Sequence, residues 1–202
     1  TDRDREQIIR AAVGAAGAMP VIVGTSHTGT AGTVALTQMA QNLGAAAVMI
    51  APSYEAIPSD DRVLDSFARV AEATAIPIVA QDHPASTQVH MSVPLLLRLV
   101  ATVPSIVCIK EEGVPTPQRL AALRRGQDRA VPILTGLGAL YGLFDLEQGS
   151  AGFNTGFAFP EVLQAMVRAA ERGDWPTARE VYARFLPLIV FEQQPGVAIR
   201  KE

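Results

Sequence analysis

Hydrophobic and polar positions alternate along this chain with two different periods. Short runs rich in Val, Ile and Ala, typical of buried strands, are separated by amphipathic stretches of three or four turns, which predict helices. The predicted strands cover residues 19–25, 46–51, 76–81, 106–110, 131–135 and 151–155. The predicted helices cover residues 2–17, 30–44, 60–74, 93–103, 116–125, 139–148 and 160–172, and Ser59 is the expected N-cap of the third.

The six strands each lead into a helix, in one unbroken series. Parallel strands need crossover connections, and helices supply them, so the series predicts a parallel α/β sheet. An open doubly wound sheet usually carries a glycine-rich phosphate loop after its first strand, and the glycines of segment 24–29 lack that spacing. We therefore favour a TIM (β/α)8 barrel, whose active site lies at the carboxyl ends of the strands.

The length of the chain predicts that this barrel is incomplete. A complete barrel has eight units and about 250 residues, whereas these 202 residues begin at one predicted helix and end within another. We expect strands three to eight of a barrel over residues 1–175, with the first two strands absent. The start of a C-terminal helical extension is expected over residues 176–202. Trp175 and a helix at 177–185 are expected to pack in a core or an interface.

Composition narrows the function classes. The chain is 49% hydrophobic and 18% charged with a net charge of −3, and it has no basic run for a nucleic acid and no apolar stretch long enough for a membrane span. The single cysteine, Cys108, lies in an apolar strand and is interpreted as a reduced core thiol, so a cytoplasmic location is expected. The histidines do not appear at metal-ligand spacing, so no metal site is predicted.

Lys110 is the first candidate catalytic residue. It interrupts the apolar run 106–109 and is followed by Glu111, Glu112 and Gly113. Desolvating an ammonium at the end of a buried strand is costly, which favours the neutral amine that attacks ketones. The alternative is a structural lysine whose head reaches water. Glu112 lies two residues on, and it is either an acid–base group on the same strand face or a solvated carboxylate that begins the loop.

Several segments around these residues form a known pattern: PVIVGTSHTGTAGTVALTQMAQNLGAAAVMIAPSY, IPIVAQDHP, IVCIKEEG and ILTGLGALYGLFDLEQGSAGFNTGFAFPEVL. With them the chain resembles, over essentially its whole length, the dihydrodipicolinate synthase and N-acetylneuraminate lyase superfamily of pyruvate-type class I aldolases and dehydratases. The resemblance implies a TIM barrel without a cofactor, and it implies that Lys110 forms a Schiff base with the 2-keto carbon of the substrate. It also implies self-association as a homodimer or homotetramer.

The chain departs from the family pattern after its fifth barrel strand. The family carries Tyr-Asn-X-Pro-Ser-Arg-Thr-Gly there, with a proton-relaying tyrosine and a carboxylate-binding arginine, and this chain has QDHPASTQ from Gln81. Gln81 cannot titrate, so it is expected to bind substrate only by donating or accepting a hydrogen bond, and Ser86 offers no charge to a dicarboxylic substrate. The Gln-Asp-X-Pro and Lys-X-Glu patterns resemble 2-keto-3-deoxy sugar acid dehydratases instead.

Further candidates follow the other predicted strands, each with a structural alternative. Tyr54 is a proton relay or a subunit contact, and Asp82 orients a substrate hydroxyl or bonds its own turn. The remaining candidates are Gly136 and Gly138, which give the backbone room near a keto acid, and Asn154 and Thr155, which bond substrate hydroxyls or cap a strand.

The expected function is a lyase that acts on a small 2-keto acid, pyruvate or sugar-acid derived, by dehydration or aldol cleavage. The alternatives are a condensing enzyme like dihydrodipicolinate synthase and a non-catalytic keto-acid-binding relative. The loss of the tyrosine at Gln81 motivates the second alternative.

Overall fold

The computed structural model describes residues 1–53, 59–194 and 196–200. The chain divides into two compact units, Thr1–Ile109 and Lys110–Glu202. Each unit combines parallel strands with helices, so the predicted α/β class with a parallel sheet is confirmed. Within the described ranges, no helix is long and apolar enough to cross a membrane.

The first unit contains three parallel strands and the beginning of a fourth. The strands are β1 (Ile22–Gly24), β2 (Ala47–Ile50), β3 (Ile78–Asp82) and the first residues of β4 (Ile106–Glu111). The helices are α1 (Asp2–Ala16), α2 (Thr30–Asn42), α3 (Asp60–Ala73), α4 (Pro84–Thr87) and α5 (Val93–Thr102). Ile22 lies opposite Ala47, and Val48 lies opposite Ile78, so neighbouring strands follow the chain order.

Local sequence explains where these elements begin and what they bury. The side chain of Ser59 accepts a hydrogen bond from the backbone N–H of Arg62 (3.3 Å), so the predicted N-cap of α3 is confirmed. Thr1 and Asp4 form a capping box at α1. Strand β3 is buried along nearly its whole length, as expected for a parallel strand that helices cover.

The second unit begins where β4 reaches Lys110. It contains β5 (Ile133–Thr135), a 3₁₀ turn over Leu137–Ala139, and five helices in the described ranges. These helices are α6 (Thr116–Gly126), α7 (Gly142–Glu147), α8 (Pro160–Glu171), α9 (Trp175–Gln193) and α10 (Val197–Arg200). Met166 and Ile189 are fully buried in a core that α7, α8 and α9 share. Trp175 packs against this core, as the sequence predicted.

Three segments of the chain differ from the sequence predictions. Residues 151–155, all described, form a single bridge between Phe153 and Thr135 rather than a strand. The helix predicted at 139–148 begins only at Gly142, because the backbone from Leu137 to Ala139 is left-handed. Helix α4 was not predicted, and its four residues are too few to show a helical period.

Candidate active site at the carboxyl end of β4

Lys110 and Glu112 form a buried ion pair. They are two residues apart at the end of β4, so their side chains point to the same face. The Nζ of Lys110 lies 3.2 Å from the Oε2 of Glu112, and the two residues are 8% and 6% exposed. The alternative in which Glu112 is a solvated loop carboxylate is therefore wrong. A carboxylate this close can take a proton from the ammonium and return it, which frees the amine to act as a nucleophile.

The second carboxylate oxygen of Glu112 is held by the backbone of the next strand-end turn. The N–H of Leu137 donates to Oε1 of Glu112 over 3.1 Å. Gly136 lies directly beneath this carboxylate, and a Cβ on Gly136 would come within 2.2 Å of Oε1. The space that glycine leaves at position 136 is thus filled by the side chain of Glu112.

The turn that carries Leu137 has an unusual backbone. Leu137, Gly138 and Ala139 have φ angles of 47°, 64° and 67°, all in the left-handed region. Gly138 adopts this conformation freely, whereas Leu and Ala do not. A Cβ on Gly138 would also meet the side-chain amide of Gln193. Glycine at position 138 is therefore required by both its conformation and its neighbour.

Glu111 points to the opposite face from Glu112 and belongs to a different ion pair. It is fully buried, and its Oε1 accepts from the Nε of Arg119 (3.0 Å) and from the N–H of Gly113 (2.7 Å). Its Oε2 accepts from the Nη2 of Arg119 (3.3 Å). Sequence reasoning missed this pair, although Arg119 lies in the first turns of the helix that follows the strand.

Asp145 is a third buried carboxylate that the sequence did not reveal. It is 1% exposed, and its Oδ1 accepts from the hydroxyl of Thr116 over 2.8 Å. Burial raises the pKa of Asp145 to about 6, against the opposing effect of the hydrogen bond from Thr116. The pKa of Tyr182 is also raised, by burial first and then by the charge of Asp145.

Other predicted site residues fall in different parts of the molecule. Gln81 and Asp82 end β3 in the first unit, where Asp82 is almost fully buried. Asn154 and Thr155 are half-buried in the second unit, and the N–H of Asn154 donates to the carbonyl of Thr135 (2.9 Å). Tyr54 lies outside the described residues. The second unit thus brings together Lys110, Glu112, Gly136 and Gly138.

Cys108 behaves as the predicted core thiol. It is a buried free cysteine, and burial raises its pKa to about 11, so the reactive thiolate is disfavoured. Among the described residues, no group of three or more His, Cys, Asp and Glu side chains is arranged to hold a metal ion.

Comparisons with known proteins agree on one family. The model of the dihydrodipicolinate synthetase family matches residues 2–199. L-2-keto-3-deoxyarabonate dehydratase from Azospirillum brasilense is 35% identical, over 100% of this chain and 67% of its own length. 4-hydroxy-tetrahydrodipicolinate synthase from Acidobacterium capsulatum is 31% identical, over 90% of this chain and 62% of its own.

A solved structure gives the same answer for the fold. The crystal structure of dihydrodipicolinate synthase from Rhodopseudomonas palustris has a TM-score of 0.90 and 31% identity, over 98% of this chain and 67% of that one. The chain therefore spans about two thirds, or slightly less, of the length of these relatives.

Proposed function

Because this chain belongs to the dihydrodipicolinate synthetase family, we propose that it carries the Schiff-base lysine of a lyase that acts on 2-keto acids, and that this residue is Lys110. One observation carries the proposal: Lys110 is buried with its Nζ 3.2 Å from the carboxylate of Glu112. A buried amine with a proton acceptor in contact has what a carbonyl nucleophile needs.

The reaction follows from these two side chains. The neutral amine of Lys110 attacks C2 of the keto acid, and the carbinolamine loses its oxygen as water to give an iminium. The iminium acidifies the C3 proton, and a base takes that proton to form an enamine. Expulsion of hydroxide from C4, with a proton from an acid, leaves an unsaturated iminium. Water then hydrolyses this iminium, which releases the dehydrated keto acid and regenerates the amine of Lys110. Glu112 is close enough to Lys110 to move protons in the first steps and to serve as the acid or base in the later ones.

The proposed substrate is a 2-keto-3-deoxy sugar acid, and the reaction is dehydration or aldol cleavage. Two features support this substrate class: similarity to an L-2-keto-3-deoxyarabonate dehydratase, and Gln81 and Ser86 in place of a titrating tyrosine and a cationic arginine. A polyhydroxylated chain needs hydrogen-bond partners rather than a second cation. Further residues proposed to act at this site are Tyr54 as a proton relay, and Asp82, Asn154 and Thr155 as partners of substrate hydroxyls.

Three wider expectations belong to the same proposal. We expect residues 1–175 to form about strands three to eight of a TIM barrel and residues 176–202 to start a helical extension. The protein forms a homodimer or homotetramer in the cytoplasm. Its partner in the reaction is a small keto acid, with pyruvate as the simplest probe.

The test is the mass of the intact chain after borohydride reduction in the presence of pyruvate. The sequence has only two lysines, Lys110 and Lys201, which makes the assignment direct. We expect one reduced adduct on the unmodified chain and on Lys201→Ala, and none on Lys110→Ala. An adduct that persists in a folded Lys110→Ala variant would overturn the assignment.

Turnover separates the lyase from a keto-acid-binding relative. A lyase that forms the enamine exchanges the methyl protons of pyruvate for deuterium in D₂O, and proton NMR follows this loss. An adduct without exchange would identify a binding protein. Exchange together with condensation, but without dehydration or cleavage of any sugar acid, would identify a condensing enzyme instead.

A further inference from the structure

The turn that supports Glu112 is strained. Leu137 and Ala139 both occupy the left-handed region, at φ angles of 47° and 67°, and they flank Gly138. Side chains other than glycine avoid this region because Cβ approaches the carbonyl oxygen, and two such residues in one turn persist only where the surroundings impose them. In the second unit, helix α9 supplies contacts that can impose this backbone conformation.

Helix α9 packs against this turn and against Leu140, the residue that follows it. The hydroxyl of Tyr182 donates to the carbonyl oxygen of Leu140 over 2.5 Å. Ala139 is fully buried in the core cluster that also contains Ile189. The amide of Gln193 lies against the Cα of Gly138. These contacts come from positions spread along most of the helix.

We propose that α9 holds the 137–139 turn in its left-handed form, a role we call a clamp. Tyr182 and Gln193 then act as positioning residues for Glu112. The N–H of Leu137, the first residue of the turn, donates to one oxygen of Glu112, and the other oxygen faces Lys110. Relaxation of the turn would redirect this N–H and remove its hydrogen bond to Glu112. The expected effect on Schiff-base formation rests on the function proposed above. The expected effect on the backbone of the turn does not.

The hydroxyl of Tyr182 can be removed without removing the ring. The ring of Phe144 packs edge-on against that of Tyr182, with centroids 6.0 Å apart, and Phe at position 182 keeps this contact. In Tyr182→Phe we expect the amide of Leu137 to exchange with deuterium about fivefold faster, the factor that corresponds to one net hydrogen bond. We expect borohydride trapping of the pyruvate adduct to slow by a similar factor, with little change in the pyruvate concentration that gives half the maximal rate.

A second substitution distinguishes a clamp from a general stabilising role. Ala139→Gly removes the steric cost at one left-handed position. In the Tyr182→Phe background it is expected to restore both the protection of the Leu137 amide and the trapping rate. Met166→Ala lowers stability in the same core from helix α8 rather than α9, and Ala139→Gly should not improve trapping in that background. Arg179→Ala, on the exposed side of α9, serves as the matched control with unchanged exchange and trapping.

The outcomes separate this inference from the proposed function. The clamp is overturned if the Leu137 amide exchanges at an unchanged rate in Tyr182→Phe. It is also overturned if Ala139→Gly improves the trapping rate equally in the Tyr182→Phe and Met166→Ala backgrounds. Absence of a pyruvate adduct on the unmodified chain overturns the proposed function, while the exchange measurements still decide whether α9 holds the turn.

Discussion

Two ion pairs lie at the end of β4, on opposite faces of the strand and one residue apart. On one face Arg119 donates to both oxygens of Glu111, and the N–H of Gly113 adds a third hydrogen bond. On the other face Lys110 faces one oxygen of Glu112, and the backbone N–H of Leu137 donates to the second oxygen. Both carboxylates are buried, so burial alone does not distinguish them.

The difference lies in what each cation can do. A guanidinium stays charged and matches a carboxylate with two parallel donors, which fixes geometry but gives up no proton. An ammonium can lose a proton to its partner and become a nucleophile. The arginine pair is therefore suited to hold the strand end, and the lysine pair to react. Four substitutions test this distinction, in order of decreasing expected effect.

The largest effect is expected from Glu112→Gln. A proton acceptor beside a reacting amine contributes about 10²- to 10⁴-fold to the rate, and glutamine cannot replace that function. We expect Schiff-base trapping with pyruvate to slow by about this factor while the variant remains folded. The matched control is Glu111→Gln, which should lower stability and leave the trapping rate within a few-fold of the unmodified chain. Equal losses of rate in both variants would erase the distinction between the pairs.

Arg119→Leu should mainly reduce stability. Removing one partner of a buried ion pair leaves a buried charge uncompensated, at a cost of about 3 to 5 kcal/mol. Urea denaturation followed by circular dichroism measures this loss through the unfolding midpoint. The double variant Arg119→Leu with Glu111→Leu removes both charges and should recover much of it. A loss below about 1 kcal/mol would show that the pair is not what holds the strand end.

Asp145 is a buried carboxylate with no cation within hydrogen-bond reach among the described residues, and its pKa makes stability depend on pH. Its folded pKa of about 6 lies above the ordinary value of 3.8, so the folded state binds a proton that the unfolded state releases. Stability from this residue is therefore complete below about pH 4 and falls as the pH rises toward 6, by about 3 kcal/mol or less.

Asp145→Asn should remove this pH-dependent component. The side-chain carbonyl of asparagine can still accept from Thr116, while the charge is gone. Thermal unfolding between pH 4 and pH 7 measures the difference, and the variant should gain stability relative to the unmodified chain as the pH rises. A variant whose stability runs parallel to that of the unmodified chain over this range would mean that Asp145 does not titrate as described.

The smallest effect is expected at an exposed pair. Arg179 donates to Glu147 over 2.7 Å, and the arginine side chain is 61% exposed. Water screens such a pair, so Arg179→Ala should change the free energy of unfolding by less than about 1 kcal/mol. A loss of unfolding free energy as large as that of Arg119→Leu would show that the distance between the charged atoms, more than their burial, sets the strength of an ion pair in this protein.

The elements of the fold were largely predictable, because the hydrophobic period changes clearly between strands and helices. The strand predicted at 19–25 was too long, since Met19 is exposed and only Ile22–Gly24 pairs. The helix predicted at 139–148 began too early. Leu137 and Ala139 are ordinary helix formers, so local propensity does not predict their left-handed backbone.

The candidate site was predictable only in part. Lys110 and Glu112 could be placed on one face, because alternation along a strand fixes side-chain direction. The partner of Glu111 could not be found, since nothing in the sequence sets how the following helix is turned toward the strand. Asp145 was missed for a similar reason: its position within a short amphipathic stretch gives no sign that its carboxylate is buried.

The close contact between Gly136 and Glu112 has an evolutionary consequence. The two positions are 24 residues apart in sequence, but the carboxylate of one occupies the volume that a side chain on the other would need. A methyl group at position 136 requires either a shorter residue at position 112 or a displaced Glu112 side chain. Relatives of this chain should therefore change these two positions together, and a lineage that fills position 136 would have to obtain its proton acceptor from elsewhere in the molecule.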